Sequence, residues 1–225
     1  KGDAEAQQQA LAQTRERIEA LEGAAREAMT ALDPHSAAPV DAMLVIDGTQ
    51  SMADSLEATR KNLRATVAAL RVVSPTARVG VVVFRDRRER RALRLQEHPL
   101  TNDEAALERF LAGIEATSTR RDRDRPEWLC GGLAAAEKAG WRPQAIRLMI
   151  AVSDAGAQSK GAKPCLAVAE HFRKVGGRLS VMSTKPVGYG TNRAVTREYD
   201  RVVLKQHAAI AEAGGGTHVG QAESN

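Results

Sequence analysis

Three oxygen-bearing side chains occupy alternate positions in the segment VIDGTQS: Asp47, Thr49 and Ser51. A carboxylate followed by two hydroxyls offers only hard oxygen donors, the ligands that Mg2+, Mn2+ and Ca2+ prefer. Hydroxyls are neutral and weak, so a cation held by them is bound loosely and keeps its affinity for one more anionic oxygen. A further acid, Asp154, follows another apolar run in IAVSDAG. A second reading of the first segment is purely local. Asp and Thr after a strand often cap the next helix, and Ser51 is placed to cap a helix starting near Met52.

These residues need elements that bring them together. AMLVID reads as a buried strand ending at Asp47, and Asp54–Arg71 as a helix with Leu56, Leu63, Val67 and Leu70 on one face. Further apolar strands are predicted at Arg78–Phe84, Ala145–Val152 and Arg178–Ser183, with a short last one at Thr217–Val219. The alternating, charged run Arg90–Gln96 reads as an edge strand. Helices are predicted over Asn102–Ala116 (capped by Thr101 or Asn102), Trp128–Ala139, Lys163–Val175 and Arg201–Ala213. Ser183–Asp200 reads as a long irregular loop that would roof the site.

Strands alternating with helices give an α/β fold with a mostly parallel sheet, its short apolar strands covered by helices on both faces. In such sheets ligands gather beyond the carboxyl ends of the strands, where the strand order reverses. Asp47 and Asp154 both stand at such ends and meet if their strands are neighbours.

Residues 1–33 form a separate N-terminal helical segment. Leu11, Ile18, Leu21, Ala25, Ala28 and Leu32 fall at heptad-like spacings among strong helix formers. It reads as a stalk, a self-association segment, a helix lying on the domain, or a solvated linker. Pro34 and Pro39 bracket a linker over 34–39, the domain follows over 40–220, and 221–225 is a tail. The chain opens on Lys1, which reads as a trimmed start, so the lack of a leader excludes nothing.

The chain has 225 residues, 43% apolar and 3% aromatic, so its core rests on Leu, Val, Ile and Ala. No run approaches a membrane span of roughly 18 apolar residues. The net charge of +5 suits a solvated surface better than a nucleic-acid footprint, and the scarcity of aromatics removes the stacking platforms of single-strand binding. His35, His98, His171, His207 and His218 are scattered, and no Cys/His cluster suggests zinc.

With these elements in place, MLVIDGTQSM resembles the first metal-site loop, D-x-S/T-x-S, of the von Willebrand factor type A (VWA) domain. RPEWLCGGLAAAEKAGWRPQAIRLMIAVSDAG is similar to a stretch of its hemicentin-like and alpha-kinase-associated branch, with Pro126, Glu127, Gly132, Leu133, Trp141, Arg142, Asp154 and Ala155 matching in order and spacing. The resemblance covers about Val40 to Val219. It implies a Rossmann-like, open, mostly parallel sheet with helices on both faces and one antiparallel edge strand, and a metal-ion-dependent adhesion site (MIDAS) at its top, with Asp47, Thr49 and Ser51 in the first loop and Asp154 in the third. The second-loop ligand implied is Asp124, with Thr119 as the fallback. The two glycines that this branch has before that Asp are replaced here by Asp122 and Arg123, and four arginines, Arg120, Arg121, Arg123 and Arg125, crowd the loop. They would compete with a cation and equally attract an acidic partner. The same layout puts Cys130 and Cys165 at the starts of the helices after the second and third loops. They are then either a disulfide, implying an extracellular, periplasmic or otherwise oxidising setting, or two buried thiols.

The function expected is binding of a protein partner, through Mg2+ (or Mn2+ or Ca2+) whose open position takes an exposed Asp or Glu. No nucleophile paired with a base is visible, and no small-molecule substrate is expected. The alternatives are a metal-free structural or adaptor domain in an intracellular ATPase or RNA–protein complex, and a phosphatase-like enzyme using Asp47. The last needs an acid two residues on, where this chain has Thr49.

Overall fold

The computed structural model describes residues 38–87, 89–117, 128–157 and 162–220. The N-terminal heptad segment, most of the linker, both second-loop candidates (Asp124 and Thr119) and the tail lie outside the described residues.

β1 (Val40–Asp47) is buried along almost its whole length, as an apolar run must be when helices cover both faces of a sheet. It pairs in parallel with β2 (Arg78–Phe84) on one side and β4 (Ile146–Ser153) on the other. β3 (Leu95–Thr101) adds antiparallel to β2, while β5 (Gly177–Ser183) and β6 (Gly215–Gly220) continue in parallel from β4. The order is β3-β2-β1-β4-β5-β6.

Alternation along the strands divides the core in two. Ala42, Ile46, Val79, Val81 and Val83 face α1 (Ala53–Val73) and α2 (Glu104–Ala112), where Leu56, Leu63, Val67, Leu107 and Leu111 meet them. Met43, Val45, Val82, Phe84, Met149 and Val181 face α3 (Leu129–Glu137), α4 (Lys163–Lys174) and α6 (Leu204–Ala213) on the other side. A disulfide joins Cys130 in the first turn of α3 to Cys165 in the first turn of α4 (S–S 2.05 Å). Among the described residues, no helix is long and apolar enough to cross a membrane.

Three local expectations are corrected. The edge strand is not Arg90–Gln96. Arg91–Arg94 makes one helical turn and the strand runs Leu95–Thr101. Leu95 pairs with Phe84, the last residue of β2, so residues before Leu95 have no β2 strand to pair with. The cap of α2 is Asp103, whose carboxylate accepts from the Ala106 amide at 3.0 Å, while Thr101 Oγ1 accepts from the Asp103 amide. The segment Ser183–Asp200 is only half irregular. Asn192 accepts from the Ala194 and Val195 amides and starts α5 (Arg193–Glu198), which a π-turn at Tyr199–Val203 joins to α6.

Candidate metal centre

β1 and β4 are neighbours, with Ile46 opposite Val152, so Asp47 and the Ser153–Asp154 pair leave the sheet side by side. β2 and β4 flank β1 on opposite sides, which makes this the switch point of the sheet.

Asp47 is fully buried, and Thr49 and Asp154 are each 3% exposed. One carboxylate oxygen of Asp47 accepts from the Thr49 amide at 3.0 Å and from the Thr49 hydroxyl at 2.7 Å. The other accepts from the Ser153 hydroxyl at 2.8 Å. Thr49 Oγ1 and Ser51 Oγ are 3.2 Å apart. The first loop therefore gathers its three oxygen groups into one cluster, as the spacing predicts. Gln50–Met52 forms a short 3-10 turn, with no side-chain cap from Thr49. Burial, and next the charge of Asp154, push the Asp47 carboxyl well above the ordinary carboxylate range, against the opposing hydrogen bonds from Thr49 and Ser153.

Arg85 supports this loop and was not legible as a site residue. Among the described residues it is the largest fully buried side chain, 1% exposed. Its guanidinium donates to the carbonyls of Gly48 (3.0 Å), Leu93 (2.6 Å) and Glu115 (2.6 Å) and to Gln96 Oε1 (2.7 Å). Burial pushes its pKa down, while the carboxylates of Glu89 and Asp47 oppose that shift. Gly48 is needed for the close approach. A Cβ there would lie 2.5 Å from Val83 Cγ1 and 3.1 Å from Arg85 Cζ. The only sequence sign was a charged residue directly after an apolar strand.

A second polar chain holds the third loop. His207 Nε2 lies 3.1 Å from the Ala155 carbonyl and so carries its proton there. His207 Nδ1 must then accept from the Ser183 hydroxyl at 2.7 Å, and Ser183 in turn accepts from His218 Nε2 at 2.8 Å. Burial depresses His207 to about 4, so it stays neutral. Pro186, Val195 and Glu198 line a small cavity beside Asp154, which puts part of the Ser183–Asp200 segment over the rim.

Two carboxylates and two hydroxyls suit a hard divalent cation, and the mutual repulsion of Asp47 and Asp154 is what a cation between them would relieve. Among the described residues no three His, Cys, Asp or Glu side chains form a cluster, so the donor set depends on its hydroxyls.

The sequence matches no protein-family model and no curated protein. Solved structures do resemble the chain. BatB from Bacteroides thetaiotaomicron is 20% identical, with a TM-score of 0.54 over 83% of this chain and 92% of that one. The VWA domain of SpRpn10 is 11% identical, with a TM-score of 0.56 over 81% of this chain and 87% of that one. The pilus adhesin SpaC from Lactobacillus rhamnosus GG is 12% identical, with a TM-score of 0.57 over 83% of this chain but only 28% of that one. At such identities the likeness is one of fold, and the fold is that of a VWA domain.

Proposed function

We propose that this chain is a protein-binding module of the hemicentin-like VWA branch, working through a divalent cation at its rim. Asp47, Thr49, Ser51 and Asp154 would hold the ion, together with Asp124 or Thr119 from the second loop. Mg2+ is the first choice, and Mn2+ or Ca2+ would be served by the same oxygens. When bound, the ion supplies one electron-poor position for an exposed Asp or Glu of the partner. The chain's own groups do the positioning. Ser153 orients the Asp47 carboxylate, Arg85 fixes the Gly48 carbonyl beneath the loop, and His207 fixes the Ala155 carbonyl beside Asp154. A fold shared with a pilus adhesin supports the reading by analogy only.

The observation that carries the proposal is the burial of Asp47 beside Asp154. Two carboxylates of like charge are costly in a dry rim unless a cation or a proton joins them. Thermal unfolding in millimolar MgCl2 or MnCl2, against chelator, tests it for wild type and Asp47→Ala. A ligand at a hundred times its dissociation constant stabilises by about 2.7 kcal/mol, or roughly 5–10 °C for a chain this size. The shift should occur in wild type and vanish in Asp47→Ala. If neither protein responds, the second reading takes over: a metal-free adaptor or structural domain. One observation favours that alternative, since Asp47 already accepts three hydrogen bonds from protein donors.

A further inference from the structure

The two faces of the sheet are unequally covered on the β4–β6 side. Met149, Ala151, Leu179 and Val181 are buried under α3, α4 and α6. The opposite face of the same strands forms an open groove of about 290 Å³, lined by Leu148, Ile150, Ser180, Met182, Thr217 and Val219 among others. Ile146 is 49% exposed, Met182 44% and Val219 52%. A parallel sheet normally buries both faces, and a contiguous apolar surface of this kind on an isolated domain marks a binding site.

We propose that residues 18–32 of this chain dock on that face as an amphipathic helix. The first argument is where the segment joins the fold. The Ile146 amide donates to the Pro39 carbonyl at 2.8 Å, so the chain enters β1 beside the lower end of the open face. The seven residues from Leu32 to Pro39 reach up to roughly 23 Å when extended, ample for a helix lying on the face next to that point.

Size is the second argument. Residues 18–32 would make a helix about 22 Å long, against roughly 26 Å for the eight residues of β4. Three strands present a width of about 10 Å between the outer two, which one helix diameter of about 10 Å covers. Ile18, Leu21, Ala25, Ala28 and Leu32 recur at spacings of three and four, giving one apolar stripe. The alanines allow close approach to a flat sheet.

Charge agrees. Residues 1–33 carry seven acids and four bases, a net of −3, so the remainder of the +5 chain carries +8, and the exposed Arg178 lines the groove.

The test uses the full chain with a photo-crosslinking benzoylphenylalanine in place of Met182, and a second protein with the probe at Val187, which is 68% exposed and outside the groove. Irradiation should join position 182, and not 187, to peptides from residues 12–32 of the same molecule. The product should be lost in the double variant Leu21→Asp with Leu32→Asp, whose cooperative unfolding is checked in parallel. Crosslinks from 182 that join two copies would mean that the face serves self-association, and would overturn the proposal. So would capture of any other segment, or a 182 crosslink that survives the two aspartates.

Discussion

At Asp47, three protein donors hold the carboxylate as an acceptor, while burial and the charge of Asp154 oppose its ionisation. In the cation-free protein its folded pKa lies above the ordinary value of 3.8. The stability linked to this group is therefore full below about 3.8 and is lost as pH rises through the raised value. Asp47→Asn keeps an acceptor for Thr49 and places a donor opposite Ser153, whose hydroxyl can turn to the Ala155 carbonyl at 3.2 Å. The variant should raise the cation-free midpoint at pH 8 by about 1–3 kcal/mol and abolish any response to Mg2+. Denaturant titrations with chelator and with Mg2+ read both effects, and a variant less stable than wild type in chelator would defeat the argument. The hydroxyl-and-acid cluster was legible because the first loop is local: alternate residues after a strand project toward one spot. Arg85, Ser153 and His207 were not legible. Their roles depend on which backbone carbonyls and hydroxyls the topology brings to them, and sequence spacing carries none of that.

Arg85 acts between elements. It ties the β1 loop at Gly48 to Leu93 and Gln96 around the start of β3 and to Glu115 after α2. Lysine has a single charged nitrogen and cannot serve four acceptors spread over a guanidinium plane. Arg85→Lys should cost about 3 kcal/mol in a denaturant midpoint, and the Mg2+-induced shift should shrink because the Gly48 carbonyl loses its anchor. A second close approach is that of α3 to β2, where a Cβ on Gly132 would lie 2.7 Å from Phe84 Cδ1. Gly132→Val should destabilise by about 1–3 kcal/mol through overpacking, read by the same titration. The main strands and helices were legible because their apolar runs and stripes are long. The edge of the sheet was not: Arg90–Gln96 alternates like a strand, yet β2 ends opposite Leu95, and beyond it a single backbone bond, from the Arg85 amide to the Arg94 carbonyl, joins the two segments before Arg91–Arg94 turns helical. Trp141 and Arg142, read as marks of a family branch, prove to hold the fold. Trp141 packs against Phe172 with the rings tilted and their centroids 5.1 Å apart, and Arg142 donates to Asp41.

Across the whole molecule, two links lie at opposite ends of the sheet. Near the rim, the Cys130–Cys165 bridge spans 35 residues of sequence, a loop that includes β4 and Asp154. A loop of that length limits the unfolded chain by about 3–4 kcal/mol. Reduction should lower the melting temperature by roughly 10 °C, measured with and without dithiothreitol. At the base, fully buried Asp41 accepts from Arg78 on β2 (2.9 and 2.7 Å) and from the Arg142 amide and side chain ahead of β4 (2.8 and 3.0 Å). Arg142 also donates to the Val40 and Thr76 carbonyls, so one carboxylate fastens β1 to the segments entering both neighbouring strands. Burial alone would raise its pKa, but the hydrogen bonds from Arg78 and Arg142 outweigh that and hold it at about 2, below the ordinary 3.8. The folded value is depressed, so the stability is present above 3.8 and is lost as pH falls toward 2. The shift corresponds to about 2 kcal/mol. His207, depressed from 6.5 to about 4, acts at higher pH: the unfolded chain takes up its proton first, so its contribution falls as pH drops from 6.5 to 4, against the opposite trend of Asp47 over the same range, and it is read in the Asp47→Asn background. Asp41→Asn should remove only the lower slope while costing about 3 kcal/mol at pH 7, because two arginines lose their buried counter-charge. Unfolding free energies measured from pH 2.5 to 7 separate the two. An Asp41→Asn profile that still falls as steeply as wild type below pH 4 would show that another carboxylate governs the acid limb.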